Sequence, residues 1–150
     1  MLARDLVRPY PLVAGDSDAF AAAKLVAERD LQAVLVTAGG PDGAPYAVLS
    51  AARLLELIVP AYVLDDPRLA AVVDEPHADR LCEALAGRRV ADCLLEKHRM
   101  PPVVAPDDTA LEVATAMVRE RSPLVVVVED GRTLGVISSA HLLDRLLAIT

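Results

Sequence analysis

Apolar positions along this chain fall into short runs and helical stripes, and the same series of them occurs twice. In the second half, Val103-Val104-Ala105 reads as a short buried strand, and Leu124 to Val128 as a strand covered on both faces. Between them, Leu111, Ala114, Met117 and Val118 recur at helical spacing. Thr109 is the expected N-cap of that helix, with Glu112 three residues on to close a capping box. Asp130-Gly131 supplies a tight hairpin turn before a third strand, Leu134 to Ser138. Leu142, Leu143, Leu146 and Leu147 then form one stripe of a second helix. The first half repeats the order, with Leu12 to Ala14, Asp18 as cap, a helix carrying Phe20, Ala23, Val26 and Ala27, and the run Ala33 to Val36. A looser turn at Gly39 to Gly43 follows, then a stripe of Leu54, Leu55, Ile58 and Val59.

Laid over one another, Leu12 to Asp16 aligns with Val103 to Asp107, and the match runs without a gap to Ala33–Val36 against Leu124–Val127. It resumes with Tyr46 to Leu55 against Leu134 to Leu143, where two apolar residues, a Ser, two small residues, a polar residue and Leu-Leu recur in order. An internal repeat of this kind decides the architecture. Each copy predicts strand, helix, strand, strand, helix. Between the copies, Asp66-Pro67 starts one helix with Leu69, Val72 and Val73 inward. Glu75-Pro76 starts another, with Leu81, Cys82 and Leu85 apolar and Gly87 as its stop; an acidic break at Asp74-Glu75-Pro76 separates the two. The expected organisation is a first motif at 1–59, a helical linker at 60–89 and a second motif at 90–150, together one module.

Composition narrows the function. A hydrophobic share of 54% with only 3% aromatics calls for a core of Ala, Val and Leu. A formal charge of −7 argues against a nonspecific grip on nucleic acid, although a few Arg can still make a local anion site. No apolar run approaches a membrane span, and Arg4, Asp5 and Arg8 stand where a signal peptide would be apolar. Cys82 and Cys93 are too few for a disulfide framework, so free thiols and a cytoplasmic location are expected. The preference for Arg over Lys and the wealth of Ala point to a GC-rich bacterial genome.

The segments Ser122-Pro-Leu-Val-Val-Val-Val-Glu-Asp-Gly131 and Gly135-Val-Ile-Ser-Ser-Ala-His-Leu-Leu143 resemble the cystathionine-β-synthase-type (CBS) domain, and their duplication resembles the CBS pair known as a Bateman module. The first copy is more diverged, with Ala47 where the family usually has Gly. The resemblance implies an α/β (α+β) fold of two motifs, each a three-stranded sheet with two helices, packed about a pseudo-twofold axis. It also implies clefts that bind adenosine-containing ligands (AMP, ADP, ATP or S-adenosylmethionine). Ser50 and Ser138 take the place of the family's phosphate-side hydroxyl. The apolar slot for adenine would come from the first and second strands, at Val13 and Val34 in one copy and Val104 and Val125 in the other. The family's ribose-binding Asp is replaced by Arg53 and His141. Arg has no acceptor and neutral His has one, so anion affinity is expected to outlast ribose recognition.

Other residues carry weaker signals. Ser50 and Ser138 also suit plain N-caps, and Arg53 and His141 suit solvated helix surface. Lys97-His98-Arg99-Met100 could present charge to a phosphate or be a solvated loop, and Tyr10 could stack on a base or pack on its own core. His77, Asp79 and Cys82 have no spacing that specifies a metal, and no Ser or Cys stands in a nucleophile motif. The expectation is a non-enzymatic, free-standing regulatory module that forms a homodimer through apolar helix faces and acts in trans on a protein partner, without nucleic acid or membrane. The alternative is a ligand-free module for dimerisation or interaction.

Overall fold

The computed structural model describes residues 1–38, 44–73, 75–94 and 100–148, with the backbone alone at 77–79. The turn expected at Gly39–Gly43 and the basic residues Lys97, His98 and Arg99 lie outside the described residues. The chain divides into two compact units, residues 12–98 and residues 1–11 with 99–150.

In the first unit, β1 (Leu12–Ala14) runs parallel to β2 (Ala33–Thr37), which pairs antiparallel with β3 (Pro45–Ser50). Helix α2 (Ala19–Glu28) links β1 to β2, and α3 (Ala51–Ile58) follows β3. All five residues of β2 are buried, as a Val-rich run without polar alternation requires. Val34 and Val36 point into a core with Ala22 and Val26 of α2 and Leu54 of α3.

The second unit repeats the plan with β4 (Val103–Val104), α7 (Ala110–Glu120), β5 (Leu124–Glu129), β6 (Arg132–Ser138) and α8 (Ser139–Leu147). Register irregularities fall at Val36/Thr37 and Val127/Val128, equivalent places in the two copies. The β5–β6 turn has Asp130 and Gly131 at φ 51° and 78°, the left-handed pair a two-residue hairpin needs. The caps stand where the sequence puts them. Asp18 accepts from the Ala21 N–H, and Thr109 and Glu112 close their capping box.

Two short helices at chain entries were not foreseen. The first, α1 (Ala3–Leu6), buries Ala3 and Leu6 in the core around Val113 and Ile137, so residues 1–11 pack with the second copy rather than with the motif assigned to 1–59. The other, α6 (Val90–Cys93), buries Val90 and Cys93 in the core around Val34 and Leu49. Asp5 and Asp92 play the same part in each, accepting from the backbone N–H of Leu2 and Arg89.

The linker forms α4 (Ala61–Asp65), a 3₁₀ turn at Pro67–Ala71, α5 (Glu75–Arg80) and a second 3₁₀ turn at Leu81–Leu85. Leu85 is sealed in the first core, as expected. Val72 is 75% exposed, which corrects its inward assignment: a 3₁₀ turn brings round a different face from the α-helix assumed.

Candidate functional site

Both candidate serines close a strand and open a helix. Ser50 Oγ accepts from the Arg53 N–H at 3.0 Å, and Ser138 Oγ accepts from the His141 N–H at 3.2 Å. The N-cap reading is therefore observed in both copies. It leaves a second role open, because capping uses a lone pair while the hydroxyl proton remains to donate. The sequence places these junctions well because a cap is a local event over four residues.

The positions three residues on differ sharply. Arg53 Nε donates to the Cys93 carbonyl at 2.9 Å, and its Nη1 sits 3.2 Å from Glu56 Oε1. This guanidinium is committed to holding the end of α6 and is not the solvated side chain the sequence allowed. Cys93, which it ties down, is buried, and desolvation pushes its thiol pKa up. His141 is half-buried. Burial first, then the positive charges of Arg8 and Arg145, hold its pKa below the ordinary imidazole value, with Asp144 opposing. The ring is thus largely neutral at neutral pH.

The four valines nominated for an adenine slot pack in or against the two cores. Val34 and Val125 are fully buried beside the helices, Val104 lies in the second core, and Val13 packs against the first. On a strand, successive side chains alternate between faces. The residues on the other face of the central strands are Leu35, Leu124 and Val126, one position off the nominated ones.

Sequence reasoning missed Arg8. Its backbone exchanges two hydrogen bonds with Val136 on β6, Arg8 N–H to Val136 O at 3.0 Å and Val136 N–H to Arg8 O at 2.9 Å. A signal was present, since Arg8 stands four residues before Leu12 as Arg99 stands before Val103, with Pro11 and Pro102 each one residue before the strand. Tyr10, nominated for stacking, is half-buried in its own unit.

An apolar groove of about 530 Å³ runs between α2 and α3, lined by Phe20, Ala27, Leu55 and Ile58 with Cys82 and Leu85 at one wall. Among the described residues, no group of His, Cys, Asp and Glu could hold a metal, and no helix is long and apolar enough to cross a membrane. The side chains of His77 and Asp79 lie outside the description.

Two matched β–α–β–β–α units, each with a capping Ser at the third-strand exit, define the CBS class of fold. The CBS domain family profile matches residues 94–148. A CBS-domain-containing protein of unknown function from Kribbella flavida DSM 17836 is 39% identical, with a TM-score of 0.86 over 98% of this chain and 99% of that one. This chain belongs to the CBS-domain family. The CBS domain of a bacterial CNNM/CorC family Mg²⁺ transporter, solved with ATP, is similar in fold at 18% identity and a TM-score of 0.71, covering 98% of this chain and 87% of that one. CBSX2, solved with AMP, is likewise similar in fold at 18% identity and a TM-score of 0.67, covering 99% and 97%. None of the curated proteins matches the chain.

Proposed function

We propose that this protein is a regulatory module, a CBS pair that binds an adenosine-containing or other anionic ligand at its strand–helix junctions and passes the signal to a protein partner. The observation that carries this reading is the pair of capping serines, Ser50 and Ser138, which keep a hydroxyl donor for a ligand. The ATP and AMP held by the two structurally similar CBS proteins support the ligand class. S-adenosylmethionine belongs to the same class. The module has no catalytic role in this reading and works as a cytoplasmic homodimer.

A second reading, a ligand-free assembly module, draws on Arg53, whose guanidinium is spent on Cys93 and Glu56. Thermal-shift measurement against AMP, ADP, ATP, S-adenosylmethionine and simple anions separates the two. A ligand at a hundred times its Kd stabilises by about 2.7 kcal/mol, which raises the Tm by roughly 5–11 °C for a domain of this size. A flat response to every compound would leave the assembly reading in place.

A further inference from the structure

Among the described residues, the Arg8 guanidinium of the second unit has no carboxylate partner. Arg8 makes no side-chain hydrogen bond or ion pair among the described residues, whereas nearby Arg4 pairs with Asp107. Its backbone is nevertheless fixed to β6 through the two bonds to Val136. Residues paired across an antiparallel bridge project to one face, as do residues two apart on a strand. Arg8, Val136 and Ser138 therefore share a face of the second sheet. It is the face away from α7 and α8, because Ile137 between them is buried in the core with Val113 and Leu142. His141 stands one turn into α8, tied to Ser138 by its own N–H.

An arginine fixed through its backbone, a hydroxyl with its donor unspent and an imidazole one turn on form a donor set for a phosphoryl group. Arg presents a fork that matches phosphate oxygens, and charge-assisted bonds of this kind are the strong ones. We propose that Arg8, Ser138 and His141 form a phosphoryl-binding site that grips the phosphate of its ligand in preference to the sugar. The proposal rests on the ligand-binding reading above and narrows it to a ligand class. A ribose needs acceptors for its two hydroxyls. Arg8 offers none, and the neutral His141 ring offers a single one. Arg145, also on α8, adds positive charge at His141, and Asp144 is the opposing carboxylate. Free pyrophosphate and a nucleoside triphosphate share the chemistry this site selects.

Isothermal titration of the full chain with pyrophosphate, ATP and adenosine, at neutral pH and low salt, tests it. Pyrophosphate and ATP should both bind, and adenosine should not. Arg8→Ala should weaken both anions by about tenfold or more, with Arg8→Lys recovering part of the loss. The Tm of Arg8→Ala should stay at the parent value, since the backbone makes the attachment. Adenosine binding as tightly as ATP, with Arg8→Ala indifferent, would overturn the phosphoryl preference while sparing the sensor reading. Silence from all three compounds would overturn both.

Discussion

Gly135 shows how one absent side chain fixes the geometry of the second unit. A Cβ there would lie 2.3 Å from the Arg8 carbonyl oxygen and 2.9 Å from Val7 Cγ2, closer than atoms tolerate. The Arg8 carbonyl cannot simply retreat, because it accepts the Val136 N–H. We predict that Gly135→Ala costs about 2–4 kcal/mol, the range of an overpacked core site with a broken backbone pairing. Chemical denaturation would measure it, and a loss below about 0.5 kcal/mol, the usual scale of a surface change, would show that the N-terminal segment is not held as described. The same residue explains why local signals were legible and the pairing of Arg8 with Val136 was not. Thr109, Asp18, Ser50 and Ser138 act within four residues of themselves, so their caps can be read from spacing. The Arg8–Val136 pair joins residues far apart along the chain, and nothing in the local pattern reports that distance.

At the scale of elements, the strands were legible and the helix faces only partly so. The Val-rich runs could be nothing but buried central strands. The helix α7 has an apolar stripe at Leu111, Ala114, Met117 and Val118, yet it buries Ala110, Val113 and Met117 and leaves Leu111 and Val118 each 76% exposed. In α2 the buried set is likewise Ala19, Ala22 and Val26, and Phe20 turns outward. Both helices are apolar over more than one face, so periodicity alone does not choose the inward sector, and small Ala residues permit the closer approach to the sheet. The consequence is an outward apolar surface. Leu143 and Leu147 of α8 are exposed, as are Leu111 and Val118 of α7, and in the homodimer proposed above such apolar faces meet a second copy. Sedimentation velocity should then find the parent chain dimeric and the double variant Leu143→Glu/Leu147→Glu monomeric at the same concentration. A parent that sediments as a monomer, or a variant that stays dimeric, would remove α8 from the interface.

At the scale of the whole molecule, the duplicated plan was legible, but the partition into contiguous segments was not the one by which the chain packs. Residues 1–11 join the second copy, and α6 joins the first. Each entry helix is too short to show a period, and its attachment depends on backbone bonds such as Ala3 N–H to Asp108 O and Val90 N–H to Ser17 O. Those attachments matter for function, because they bring Arg8 to β6 and bind Arg53 to Cys93. The two copies therefore share a plan while their site positions have different chemistry, one with Arg53 employed in structure and one with Arg8 on the same sheet face as Ser138. The account as a whole stands on ligand binding at these strand–helix junctions. Amide chemical-shift mapping of the full chain during titration with ATP tests that most directly. The expected result is saturable perturbation centred on Arg8, Val136 and Ser138 to His141. Spectra that ATP leaves unchanged, or shifts confined to the Phe20–Leu55 groove, would contradict it.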